Sequence, residues 1–331
     1  MNAVVSKMSE SRSASSANPS IAVLIPCLNE AVTIGDVVAG FASALPGATV
    51  FVYDNRSSDR TADFARAAGA VVRTEPLRGK GNVVRRMFAD VEADVFVLVD
   101  GDDTYDASSA PALIDLLLTN SLDMVNAARQ SESKEAYRRG HRLGNRLLTG
   151  LVTLLFGNRL TDLLSGYRIL SRRFVKSFPA LGSGFEIETE LSVHALQLRL
   201  PIAEVSVRYK ERPAGSASKL NSYRDGFRIL RTIGYLVKEE KPFAFFSAVA
   251  VAMALLSVWV GIPVIVEFSR TGIVPRLPTA LLAAALMILS SLAFTCGLIL
   301  DSVSRGRVET KRLCYLSVPV RFSSVRRSRD A

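Results

Sequence analysis

Val97-Leu98-Val99-Asp100-Gly101-Asp102-Asp103 is an apolar run that breaks abruptly into acids. A strand covered on both faces reads as an unbroken apolar stretch, so this one delivers Asp100 and Asp102 together into the loop that follows it. Gly101 between them lets the backbone approach a neighbour closely. Two carboxylates so placed are hard oxygen donors that suit Mg²⁺ or Mn²⁺ bridging two phosphates. Asp-Gly-Asp is also an ordinary polar turn. The apolar strand directly before it favours the metal.

The pattern around this strand alternates. Ile21 to Ile25 is a short buried-strand run, Ala31 to Leu45 has helical spacing, and Thr49 to Tyr53 is a second strand. Thr61 to Ala68 reads as helix, Val71 to Arg73 as strand, Lys80 to Asp90 as helix and Asp94 to Val99 as the fourth strand. This βαβαβαβ order predicts an α/β fold, a mainly parallel Rossmann-like sheet whose ligand site lies beyond the carboxyl ends of its strands. The acidic turn Asp54-Asn55-Arg56-Ser57-Ser58-Asp59 falls at such an end. It suits the polar edges of a base or ribose, or caps the helix starting near Arg60. Arg78-Gly79-Lys80-Gly81-Asn82 lacks the spacing of a nucleoside-triphosphatase loop. A helix N-terminus there still favours a diphosphate.

Of 331 residues, 49% are hydrophobic and the mean hydropathy is +0.24, unusually apolar for a soluble chain. Phe243 to Val266 and Leu277 to Leu300 contain no charged residue, and each is long enough to cross the hydrocarbon layer as a helix. The flank after Leu300 carries Arg305, Arg307, Lys311, Arg312, Arg321, Arg326, Arg327 and Arg329, against only Arg270 and Arg276 between the runs. That asymmetry puts both ends, and the domain before the hairpin, on the cytoplasmic side. The organisation expected is a disordered tail over 1–20, a catalytic domain over 21–220, an amphipathic juxtamembrane helix over 221–241, the hairpin over 242–300 and a basic tail over 301–331. Tyr137 to Gly157 also mixes arginines with an apolar run and reads as interfacial.

Lys plus Arg number 41 against 31 Asp plus Glu, a net +10 that calls for an anionic partner. Much of that excess lies beside the membrane runs, so anionic lipid and a phosphorylated substrate are favoured over nucleic acid. Cys27, Cys296 and Cys314 are far apart, and His141 and His194 lack ligand partners at useful spacing. Disulfide scaffolds and zinc sites are excluded on those grounds.

Several motifs in order resemble the family 2 inverting glycosyltransferases of GT-A fold: Ile25-Pro26-Cys27-Leu28-Asn29-Glu30, Tyr53 to Thr61, Gly79 to Asn82, and Asp100-Gly101-Asp102. Thr161 to Arg168 and Gly215 to Leu220 resemble the polyprenyl-phosphate branch, the dolichol-phosphate mannose synthase and GtrB-like group, and the terminal hairpin fits the GtrB-like subset. The resemblance implies transfer of a sugar from UDP or GDP to an undecaprenyl or dolichyl type phosphate at the cytoplasmic membrane face. It implies Pro26, Asn29, Glu30 and Asp54 lining the nucleotide pocket, Lys80 beside it, Asp100 on the nucleoside and, with Asp102, at the metal. Asp162 falls in the segment linked to acceptor activation. Arg129 and Arg168 are the candidates for the lipid phosphate, and Lys219 for the donor diphosphate. The partners implied are a nucleotide-sugar, a polyprenyl phosphate and membrane lipid, with self-association allowed.

Two departures stand out. Asp54-Asn55-Arg56-Ser57 replaces the family's Asp-Asp-Gly-Ser, and Asp-Gly-Asp replaces its Asp-Ala-Asp. The rival readings are a processive polysaccharide synthase, disfavoured because the single tryptophan, Trp259, lies inside the first span, and a non-catalytic nucleotide or lipid-binding module. An acceptor phosphate is already ionised at neutral pH, so Asp162 is read as orienting Arg168 or the acceptor rather than as an obligatory base.

Overall fold

A computed structural model describes residues 18–130, 149–150, 152–153, 157, 160–213, 235 and 238–319. The interfacial reading of Tyr137 to Gly157, most of the amphipathic stretch 221–241, Lys219 and the ends 1–17 and 320–331 lie largely or wholly outside the described residues.

Seven strands form one sheet: β1 (Ile21–Cys27), β2 (Thr49–Asp54), β3 (Val71–Thr74), β4 (Val95–Leu98), β5 (Met124–Gln130), β6 (Arg168–Ser171) and β7 (Ile202–Arg208), in the order β3-β2-β1-β4-β6-β5-β7. All adjacent pairs are parallel except those made by β6, which runs antiparallel to both β4 and β5. The expected mainly parallel α/β sheet is thus present, and its first four strands are those read from the sequence.

Alternate side chains of each central strand feed two apolar layers. Leu24, Phe96 and Leu98 face α3 (Lys80–Asp90), α5 (Arg172–Ser177) and α6 (Ile187–Gln197), meeting Met87, Phe174 and Leu191. Val23, Ile25, Val97 and Val99 face α1 (Ile34–Ala44) and α4 (Ala110–Thr119), meeting Ile34, Phe41 and Leu113. In α1 the buried positions Ile34, Val37, Val38 and Phe41 follow the i, i+3, i+4, i+7 spacing of a one-sided helix. The short α2 (Thr61–Ala67) completes the second layer through Ala65. Because helices cover both faces, the parallel strands all end at one open edge.

Two long helices, α7 (Pro242–Thr271) and α8 (Leu277–Ser317), form an antiparallel hairpin, each long and apolar enough to cross a membrane. Their apolar residues mostly face outward, with Trp259 73% and Ile265 67% exposed, so this is no buried core hairpin. The contact between them is built from small residues seven apart, Ala250, Ser257 and Val264 on one side and Ser290 and Gly297 on the other. Ser257 Oγ donates to the Ala283 carbonyl and Ser290 Oγ to that of Ala250, both at 2.7 Å. Small residues and cross-helix hydroxyl bonds are how helices associate where no water drives them together. The described part of the expected basic tail is not loose: α8 continues unbroken through Ser317.

Candidate active site

At the open edge of the sheet, the loops after β1 and β2 are tied together. Asn29 sits at φ 52°, a left-handed conformation that Asn tolerates. Its N–H donates to Ser57 Oγ at 2.8 Å and its Oδ1 accepts from Ser58 N at 2.7 Å. Glu30 N–H donates to Thr61 Oγ1 at 2.9 Å. Asp54 is buried and accepts from Ser57 N, making the turn. Asp59 accepts from Ala31 N and Thr61 N. Burial would raise its pKa, but these bonds and the Thr61 hydroxyl hold it below the usual range. It therefore both caps the helix start and joins the two loops. Pro26 is in register with Tyr53 on the same edge.

Asn55, one of the departures, proves structural. It is buried, receives Gly79 N–H on its Oδ1 at 2.7 Å, and donates to the Glu75 and Leu77 carbonyls at 3.0 and 2.8 Å. The neutral amide offers both donor and acceptor where a second carboxylate would offer acceptors only.

At the N-terminus of α3 the amides of Gly81 and Asn82 are engaged within the protein. Gly81 N–H donates to the Ser183 carbonyl at 3.1 Å, and Asn82 N–H and Val83 N–H to that of Gly79. A Cβ on Gly79 would lie 2.1 Å from Ser183 O, and one on Gly81 2.2 Å from Gly182 O, so this clasp requires glycine at both positions.

Lys80 itself is the hub. Its Nζ donates to Asp100 Oδ1 at 2.5 Å and to Glu188 Oε1 at 2.6 Å. Burial alone would lower the Lys80 pKa; the two carboxylates reverse that and raise it. Burial likewise raises Glu188, against the pull of the ammonium. Glu188 was not read from the sequence. Of the three acids in Gly184-Phe185-Glu186-Ile187-Glu188-Thr189-Glu190, Glu186 accepts from Ser183 N and Gly184 N, and Glu190 from Gly182 N, leaving only Glu188 to reach Lys80.

Asp102 is buried beside Asp100. Its Oδ1 accepts from Thr104 Oγ1 at 2.6 Å, and its Oδ2 pairs with Arg212 at 2.5 Å. Gly101 is needed because a Cβ there would meet Cys27 Sγ at 2.7 Å, while its carbonyl accepts from Thr33 Oγ1 at 2.6 Å. Among the described residues no group of three or more His, Cys, Asp or Glu converges. The donor set is one or two carboxylates, which fits a Mg²⁺ or Mn²⁺ that takes its remaining oxygens from substrate phosphate and water. A cavity of about 640 Å³ opens beside the loop, lined in part by Asp36, Phe41, Asp100, Asp103, Tyr105 and Lys210.

The segment leading into β6 closes onto this loop. A Cβ on Gly166 would lie 2.1 Å from Asp100 Oδ2, and Gly166 N–H donates to Tyr105 Oη at 2.9 Å. Tyr105 packs edge-on against Tyr209 at 5.3 Å, and the Arg129 guanidinium lies 5.7 Å from the Tyr209 ring. Through these contacts the end of β5 is linked to the acidic loop.

Arg129 and Asp162 form a two-pronged pair, with Nε to Oδ2 at 2.7 Å and Nη2 to Oδ1 at 2.8 Å. Burial would raise the Asp162 pKa, but the guanidinium outweighs it and holds the carboxyl below its ordinary range. Asn126 and Glu204 brace the segment, Asn126 donating to the Asp162 carbonyl and Glu204 receiving Thr161 N–H, each at 2.8 Å.

Arg168 is placed differently from expectation. It is fully buried inside β6, and its guanidinium donates to the carbonyls of Ser165, Leu163 and Glu188. It ties the motif loop to α6 and faces backbone rather than cleft; Asp162 orients Arg129, not Arg168. His194 is structural, as read: buried between Phe174 and Phe178, with Nε2 3.2 Å from Ser177 Oγ.

The mostly parallel mixed sheet, with acids at its strand ends, has the architecture of a glycosyltransferase of the GT-A type. The chain belongs to glycosyl transferase family 2, whose pattern matches residues 22–178. Glycosyltransferase AglJ of Haloferax volcanii is 33% identical over 234 residues, 70% of this chain and 77% of that protein. The dolichyl-phosphate hexose transferase of the same organism is 29% identical, covering 67% of this chain and 95% of its own length. The glucosyl-3-phosphoglycerate synthase of Mycobacterium tuberculosis, solved with Mn²⁺, uridine-diphosphate-glucose and phosphoglyceric acid, superposes with a TM-score of 0.55 at 27% identity, over 65% of this chain and 80% of that one.

Proposed function

We propose that this glycosyltransferase moves a sugar, with inversion, from a UDP or GDP sugar to a polyprenyl phosphate of undecaprenyl or dolichyl type at the cytoplasmic face of a membrane. The observation that carries the proposal is the Arg129–Asp162 pair, a held cation linked to the Asp100 loop through Tyr209, Tyr105 and Gly166, in a domain joined to two membrane-length helices. The likeness to a dolichyl-phosphate hexose transferase and to a synthase holding Mn²⁺ with a UDP sugar supports it.

The transfer asks for little proton chemistry. An ionised phosphate oxygen of the acceptor forms the bond to the anomeric carbon, while the bond from that carbon to the diphosphate breaks and its electron pair leaves with the nucleoside diphosphate. The obstacle is repulsion between two anions, which fixed cations offset. Arg129 receives the acceptor phosphate, and Asp162 fixes the plane of its guanidinium. Lys80, whose ammonium has a third N–H beyond those given to Asp100 and Glu188, is the cation beside the nucleotide pocket. Lys219 is the further candidate for that diphosphate. Pro26, Asn29, Glu30 and Asp54 form the nucleotide side, with Asp100 on the nucleoside. Asp102, with Asp100, would hold a divalent cation, which when bound supplies charge neutralisation at the diphosphate. Arg168 serves by fixing the loop that carries Asp162.

A donor screen in membranes with undecaprenyl phosphate, followed by mass spectrometry of the extracted lipid, tests the proposal. A glycosylated lipid whose mass identifies the sugar is expected. Donor consumption without any product in the organic phase refutes the acceptor class.

A further inference from the structure

The helix α8 is 41 residues long, about 60 Å at 1.5 Å per residue and twice what the hydrocarbon layer needs. Its first part, to Leu300, is apolar; the remainder runs along the catalytic domain. The groups that touch the domain or its approach are Ser304, Arg307, Lys311, Tyr315 and Val318, spaced by three or four residues and so on one face of the helix. Ser304 Oγ donates to the Glu239 carbonyl at 3.0 Å, and Arg307 pairs with the Glu239 carboxylate. Lys311 donates to Gln197 Oε1 at 2.7 Å, and Gln197 in turn donates to Glu240 at 2.9 Å. Tyr315 Oη donates to Asp123 Oδ2 at 2.8 Å, the Arg173 guanidinium lies 5.2 Å from the Tyr315 ring, and Arg173 Nε donates to the Val318 carbonyl at 2.9 Å.

Asp123 is buried, also receives Ser171 Oγ at 2.6 Å, and immediately precedes β5, the strand that carries Arg129 next to its end. From Leu300 to Tyr315 the helix rises about 22 Å.

We infer that the polar part of α8, from Asp301 to Ser317, is a strut that grips the base of β5 and the end of α6 and so fixes the height and tilt of the catalytic domain, with its acceptor arginine, over the membrane. Lys311, through Gln197 at the end of α6, and Tyr315, through Asp123 and the strand, are then positioning residues. This rests on the acceptor reading above. A domain held only by a flexible tether would sample many heights and tilts, whereas contacts at four successive turns leave one.

The test uses the full-length protein with two acceptors: undecaprenyl phosphate in phosphatidylethanolamine/phosphatidylglycerol vesicles, and a short water-soluble prenyl phosphate. Two variants are compared, the double change Lys311→Gln with Tyr315→Phe, which loosens the grip, and Glu309→Pro, which breaks the strut between bilayer and grip. Both should transfer to the soluble acceptor within twofold of the parent rate, yet lose at least tenfold in kcat on vesicles with an unchanged KM for the donor. Equal losses on both acceptors would mean the segment only stabilises the fold, and undiminished vesicle rates would mean it sets no height; either overturns the strut. A parent enzyme that glycosylates neither prenyl phosphate overturns the acceptor reading and the strut with it.

Discussion

Replacing Asp162 by Asn separates an orienting carboxylate from a general base. The side chain is 8% exposed and receives both Arg129 Nε and Nη2, with the Arg129 N–H at 3.2 Å as a third donor. An amide of the same shape keeps one acceptor oxygen and turns an NH₂ toward the other guanidinium N–H. One charge-assisted bond is lost, about 1.5–3 kcal/mol, which is a roughly ten- to hundredfold fall in kcat/KM if Arg129 acts on the transition state. Because Asp162 titrates below the ordinary carboxylate value of about 3.9, it stays ionised at pH 5 and above, and its contribution to stability is lost only as pH falls below that value. The pH profile of kcat/KM between 5 and 9 should therefore keep its shape in Asp162→Asn, merely lowered. A general base predicts something else: a loss reaching about 10⁴-fold, with a rate that climbs with hydroxide across the range. That second profile would refute the orienting role and the claim that the acceptor needs no deprotonation.

Metal binding is expected to respond in opposite directions to two changes: Asp102→Asn weakens Mn²⁺ binding in the presence of UDP or GDP by tenfold or more, while Arg212→Gln, which removes the cation now paired with that carboxylate, tightens binding of Mn²⁺ alone. Electron paramagnetic resonance of free Mn²⁺ reads both. Gly166→Ala drives a methyl into Asp100, which should cut nucleotide affinity by at least tenfold in a calorimetric titration, with far-ultraviolet circular dichroism unchanged. Burial pulls the His194 pKa down to about 3, and its Nδ1 has no partner. The unfolded chain therefore takes up a proton below about pH 6.5 that the folded one refuses, costing roughly 2 kcal/mol by pH 5. His194→Leu should narrow the difference in thermal midpoint between pH 7 and pH 5; an unchanged difference would assign the acid sensitivity elsewhere.

The first four strands are legible in the sequence. β1, β2 and β4 stand out because doubly buried strands are unbroken apolar runs, and the acids after them mark the open edge. β6 does not, since a four-residue strand holding Arg168 resembles a polar motif loop until the guanidinium is seen to be satisfied by three carbonyls. Glu188 was hidden among Glu186 and Glu190 because helix period alone does not say which acid meets a lysine 108 residues away. The polar part of α8 was read as a tail for a related reason. Asp301, Arg305, Glu309 and Arg312 balance one another without an apolar stripe, and the contacts that order the segment lie on residues far back in the chain.

The hydroxyls of Ser257 and Ser290 give the hairpin a registration of its own, made wholly within the two apolar helices. All seven strands among the described residues precede Pro242 in the chain, so every strand of the sheet is synthesised before the helical hairpin. Tyr315, the residue that joins the catalytic half to the paired helices, follows both in the chain. Truncation a few residues before Tyr315 would leave both halves formed and the coupling between them missing.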